Sequence, residues 1–170
     1  GYYRHLGKLI AYSPQVTNAG LKHLKGLTKL RTLALWNTKI TDAGLIHLTG
    51  VTNLQTLDLQ RNRLTGSGLV HLKELSKLER LNLQFTQVND AALLNLKGQT
   101  NLKRLDLRST KVTDVGLMHL AGLKLESLSI PKHSQTDRGL EHYLAALEPK
   151  TYLNLGLAGE EWSITDAGLV

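Results

Sequence analysis

The stretch Ile40-Thr41-Asp42-Ala43-Gly44-Leu45-Ile46-His47-Leu48 recurs as Val112-Thr113-Asp114-Val115-Gly116-Leu117-Met118-His119-Leu120, and in shortened form as Ile164-Thr165-Asp166-Ala167-Gly168-Leu169. Corresponding starts at Thr17, Thr41, Thr65, Asn89 and Thr113 lie 24 residues apart, Thr136 follows after 23 and Thr165 after 29. A fixed period of this size marks a repeat architecture, so the period decides the fold before any local propensity does.

Between these stretches runs a second recurring piece, L-x-x-L-x-L followed by a polar and then an aliphatic residue. It reads Leu30, Leu33, Leu35, Thr38, Ile40, then Leu54, Leu57, Leu59, Asn62, Leu64, with the same spacing from Leu78 and Leu102. The alternation in Leu57-Asp58-Leu59 has period 2 and predicts a short strand. After Thr41 the pattern changes: Thr41 or Asp42 can cap a helix, and Leu45 and Leu48 then share one helical face. One strand and one helix cannot bury that leucine face alone, so each unit must stack on its neighbours. The predicted fold is a right-handed α/β solenoid, an arc with parallel strands on the concave face and helices on the convex face. Residues 1–170 are expected to form a single domain of about seven such units.

These residues resemble the leucine-rich repeat family from Leu6 to Leu169, and the T-D-A-G-L-x-x-L segment resembles its short, ribonuclease-inhibitor-like branch. The pattern departs where many members carry Asn or Cys, because the chain has Thr38, Asn62, Thr86, Thr110 and His133 there. The resemblance implies a protein-binding scaffold.

Composition narrows the chemistry. There is no cysteine, which excludes disulfides, thiolate metal sites and cysteine nucleophiles. A net charge of +7 favours anionic partners without bearing on fold. No apolar run approaches the roughly 18 residues of a membrane span, and the first residues lack a signal-peptide core, which leaves the compartment open. No N-terminal cap precedes the early strand at Leu6 to Ala11, and the last helix stops soon after Asp166. The chain is therefore expected to be a fragment of a longer protein, whose uncovered C-terminal layer frays or associates end to end. The loop from Gly156 to Ser163 carries Glu160, Glu161 and Trp162, and is read as tucking the Trp over the core.

No constellation points to catalysis or to a cofactor. His23, His47, His71, His119 and His142 recur at one helical position, with Asn95 in the remaining slot, and an outer-face structural role is expected for them rather than metal binding. Gly20, Gly44, Gly68, Gly116 and Gly139 suit close packing of helix on strand and belong to no phosphate loop. Asp58 and Asp106 lie two repeats apart with Asn82 between them and no cleft implied, so glycosidase chemistry is not expected.

The variable positions collect on the strands, where side chains flanking the leucines point away from the core. Ile10, Tyr12, Ala34 and Trp36 make an apolar aromatic zone near one end, which either binds a partner or is covered by preceding sequence. Arg80, Arg104 and Arg108 make a basic zone, with Phe85 at the rim. The predicted partner contacts are Tyr12, Trp36, Arg80, Phe85, Arg104 and Arg108, residue types enriched in interface hot spots. The function this implies is a non-enzymatic scaffold for a protein or peptide, without cofactor or metal. Regulation of an enzyme is one alternative, and binding of an anionic ligand or nucleic acid through the arginines is a weaker one.

Overall fold

The computed structural model describes residues 5–149. Six three-residue strands, β1 (Lys8–Ile10), β2 (Thr32–Ala34), β3 (Thr56–Asp58), β4 (Arg80–Asn82), β5 (Arg104–Asp106) and β6 (Ser127–Ser129), form one parallel sheet in chain order. The register carries the repeat: Leu9 pairs with Leu33, Leu33 with Leu57, Leu57 with Leu81, and Leu81 with Leu105, each a step of 24 residues. The step from Arg104 to Ser127 is 23, and the missing residue is absorbed in the preceding loop, where Lys124 takes a φ of 58°. The expected seventh strand, the Trp162 loop and the C-terminal helix lie outside the described residues.

Parallel pairing puts like residues of successive units over one another, so the leucines form buried columns. Leu33, Leu57, Leu81 and Leu105 are at most 2% exposed, and Leu35, Leu59, Leu83 and Leu107 form a second column beside them. Leu45, Leu69, Leu93 and Leu117 close the core from the helix side. Burial on this scale, worth about 1.5–3 kcal/mol per leucine, is available to no unit by itself.

The convex segments are short, and much of their length is 3₁₀ rather than α. Asp42–Leu48 and Ser67–Glu74 are 3₁₀ throughout, whereas α1 (Asn18–Leu21), α2 (Asp90–Leu93) and α3 (Asp114–Leu117) are single α turns continued as 3₁₀. Among the described residues only α4 (Asp137–Ala146) is a helix of 10 residues. A 3₁₀ segment is slimmer than an α-helix, and this suits a stack whose strands repeat at about 4.8 Å while packed α-helices need about 8–10 Å. At three residues per turn Leu45 and Leu48 eclipse, which turns Ile46 outward and leaves His47 half-buried at the flank. The outer-face expectation for the histidines is corrected accordingly: His23 is exposed, but His47, His71, His119 and His142 are half-buried. Among the described residues no group of three His or carboxylate side chains could hold a metal ion.

Thr41 stands at the N-terminal cap position without a side-chain cap bond, and Asp42 serves the next unit instead. Its carboxylate accepts from the Thr65 N–H (2.8 Å) and hydroxyl (2.9 Å), and from the N–H groups of Gly66 (2.9 Å) and Gly68 (2.8 Å). Asp90 binds Thr113 in the same way, and the Asn18 Oδ1 accepts from the Thr41 N–H. Burial pushes the Asp42 carboxyl up, but the donors from Thr65, Gly68 and Gly66 outweigh it and hold the pKa below the ordinary 3.8. A group whose pKa is lowered by folding contributes stability above its unfolded pKa and loses it as pH falls through the folded value. The gap in thermal midpoint between the native protein and Asp42→Asn is therefore expected to narrow on acidification from about pH 7 to about pH 3. A gap that stays constant would mean that the carboxylate charge is not what the next unit binds.

The T-D-A-G-L glycines also act between units rather than between helix and strand. A Cβ on Gly44 would meet the Asn18 side chain, and one on Gly116 would meet Asp90. The polar ladder differs from expectation at one place: Ser134, not His133, is the fully buried member in the sixth unit, and its hydroxyl donates to the Val112 carbonyl at 2.7 Å. His133 lies exposed, with Nε2 2.8 Å from the same carbonyl. The tight turn Lys132–Ser134 advances the chain so that the smaller side chain falls inside.

Candidate functional site on the concave sheet

Each strand turns its central leucine inward and sends its flanking residues to the open face of the sheet. Register then assembles rows across units. The first row reads Lys8, Thr32, Thr56, Arg80, Arg104, Ser127, and the second reads Ile10, Ala34, Asp58, Asn82, Asp106, Ser129. A third follows two residues on, from Tyr12 and Trp36 through Gln60 and Gln84 to Arg108.

Tyr12 and Trp36 stack with centroids 5.0 Å apart and planes 16° from parallel. Tyr12 is 63% exposed and Ile10 48%, so the stack presents a flat apolar surface to its surroundings. Offset stacking of this kind holds both rings in place and lowers the entropy lost on binding.

The three arginines separate. Arg108 is committed to Asp106, with Nη2 2.7 Å from Oδ2 and Nε 3.1 Å from Oδ1, and Gln84 donates to the same carboxylate at 2.8 Å. Asp58 accepts from the Gln60 side chain at 3.1 Å. Arg80 and Arg104 are exposed neighbours in register, and neither makes an ion pair among the described residues. Two guanidinium groups one strand apart repel each other, at a cost an anionic partner would relieve.

Beyond the third row the chain bends away through Asn37, Arg61, Phe85 and Ser109, all with φ of 53–56°. Asn tolerates this left-handed geometry, whereas for a side chain such as Arg or Phe it costs about 1–2 kcal/mol. Phe85 is 48% exposed and its ring carries the Arg61 guanidinium at 4.8 Å. The aromatic at the rim was legible as a residue type, but neither its backbone conformation nor its Arg61 partner was.

The convex side carries a feature that composition alone concealed. Ile46, Val70, Leu94 and Met118, 24 residues apart, are 49%, 41%, 50% and 48% exposed and form an apolar column along the outside of the solenoid. The signal was present as an apolar residue after each helical leucine, and only the 3₁₀ geometry turns that position outward.

A stack of strand-and-helix units joined through one parallel sheet defines a repeat solenoid. Two family models described as leucine rich repeat match residues 28–88 and 98–121, between them half of the sequence, and the chain belongs to the leucine-rich repeat family. The crystal structure of an internalin (inlF) from Listeria monocytogenes is similar at a TM-score of 0.58 and 25% identity, over 78% of this chain and 38% of that one. The leucine-rich repeat ectodomain of the receptor kinase SOBIR1 from Arabidopsis thaliana shares the fold at a TM-score of 0.50 and 20% identity, over 72% of this chain and 68% of that one. The chain thus spans well under half the length of the internalin it matches. No curated protein matches it. No helix among the described residues is long and apolar enough to cross a membrane.

Proposed function

We propose that this chain is a non-enzymatic recognition module whose concave sheet binds a protein or peptide partner, with Tyr12, Trp36, Arg80 and Arg104 as principal contacts. The observation that carries the reading is the pairing, on one face, of an exposed aromatic stack with two guanidinium groups that lack carboxylate partners. Aromatic and Arg side chains supply most of the energy in measured interfaces, and the leucine positions are committed to the core. Arg108 takes a lesser role because a partner must compete with Asp106 for it. Phe85 belongs to the rim of the same surface. Within the family, the T-D-A-G-L segments are the ground for placing the chain in the ribonuclease-inhibitor-like branch, and the 24-residue period for a single domain of about seven units.

With a partner captured by pulldown, Trp36→Ala and Arg104→Ala are each expected to lower affinity about thirtyfold, equivalent to about 2 kcal/mol, with the thermal midpoint unchanged. Unchanged affinity in both variants, together with loss of binding in Val70→Ser, would move the interface to the convex apolar column. A captured nucleic acid in place of a protein would overturn the ligand class.

A further inference from the structure

The loops that follow the strands build one edge of the solenoid, and that edge is asymmetric in charge. Segments 13–17, 37–41, 61–65, 85–89 and 109–113 contain Lys39, Arg61, Arg63 and Lys111 and no Asp or Glu. Between the second and fourth units they enclose an open groove of about 690 Å³, lined by Asn37, Arg61, Arg63, Thr65, Phe85 and Gln87 among others. The acidic residues nearest the groove in sequence have donors of their own: Asp42 is taken up by Thr65, Gly66 and Gly68, Asp58 by Gln60, and Asp90 by Thr113. Neither Arg61 nor Arg63 makes an ion pair among the described residues.

Two features of this groove oppose folding. Arg61 and Phe85 sit at φ of 56° and 53°, where Asn37 shows that a tolerant residue satisfies the same bend. Phe85 also leaves about half of its ring in water. Strain and exposure at one place are the pattern of a residue kept for a ligand. The Arg61 guanidinium lies against the Phe85 ring, an arrangement that fixes its plane and leaves its N–H fork free for a carboxylate.

We infer that this rim groove is a subsite for an acidic peptide segment, its carboxylates held by Arg61 and Arg63 and an adjacent apolar side chain laid against Phe85. The groove crosses about three units, roughly 10 Å at strand spacing, which matches about three residues of extended peptide. A short site with one aromatic ring fits a peptide better than nucleic acid, which requires a longer track of cations and stacking rings. The proposal rests on the protein-binding reading for its ligand class alone, and its variants leave Trp36 and Arg104 intact, so the two fail separately.

The test is an NMR titration of the ¹⁵N-labelled chain with acetyl-Gly-Glu-Asp-Phe-Glu-Gly-amide. Shifts are expected to centre on the segments around Arg61, Arg63 and Phe85, and the peptide with Gln and Asn in place of the acids should bind at least tenfold more weakly. Arg61→Gln and Phe85→Asn should each weaken the acidic peptide about tenfold. Phe85→Asn should also raise the thermal midpoint by about 2 °C, since Asn accepts the left-handed backbone and the ring no longer meets water. No shifts at millimolar peptide, equal binding of the neutral peptide, or shifts centred on Arg80 and Arg104 would overturn the assignment. So would tighter binding of octathymidylate in the same groove, or a midpoint lowered by several degrees in Phe85→Asn, which would make the ring structural.

Discussion

Asn62→Ala is expected to lower the unfolding free energy by about 3 kcal/mol, far more than a substitution at the matching ladder positions. Asn62 is 5% exposed. Its Oδ1 accepts from the Thr38 N–H (3.1 Å) and hydroxyl (2.7 Å), and its Nδ2 donates to the carbonyls of Leu35 and Leu59. One amide thus joins the second and third units at a buried bend, and truncation strands a donor on one side and acceptors on both. Each buried polar group left without a partner costs about 1–3 kcal/mol. Thr86, by contrast, makes one local bond to the Leu83 carbonyl (2.7 Å), so Thr86→Ala should cost about 1 kcal/mol. Urea unfolding of the two variants compares them directly. Equal midpoints would show that the bond between units adds nothing to the local one.

Gly68→Ala and Gly20→Ala are expected to act in opposite directions although both glycines occupy the same place in the repeat. A Cβ on Gly68 would stand 2.5 Å from the Asp42 carbonyl oxygen and 2.8 Å from its Cα, backbone atoms that no rotamer change can move. The units must separate there, at an expected cost of about 3 kcal/mol, the upper end of overpacking. Gly20 meets nothing within 4 Å, so Ala at that site gains helix propensity and stabilises by about 0.5 kcal/mol. The chain contains its own control in the fourth unit. Ala92 stands where the others have Gly, and the residue facing it is Gly66 rather than Asp or Asn; a Cβ on Gly66 would strike the Ala92 methyl. The methyl has changed sides and the volume between units is conserved. Melting curves of both alanine variants provide the check, and a shift of the same sign in both would remove the steric argument.

The arc of stacked strands, the leucine columns and the face on which Tyr12, Trp36, Arg80 and Arg104 collect were all determined by the sequence alone. The reason is that a parallel stack puts residue n beside residue n + 24, so the period written along the chain is itself the tertiary register. Where two residue types competed for one place, the period was silent. It could not say that Asp42 reaches forward to Thr65 rather than capping its own helix, because that choice depends on whether three N–H groups and one hydroxyl of the next unit lie within bonding distance. Nor could it separate Arg108, which folds onto Asp106 along its own strand, from Arg80 and Arg104, which lack such a carboxylate. The outward column of Ile46, Val70, Leu94 and Met118 was decided by 3₁₀ winding, a consequence of packing convex segments above strands about 4.8 Å apart. The groove at Arg61 and Phe85 exists because the bend demands a left-handed residue once per unit, a demand set by the path of the backbone and invisible in a side-chain pattern.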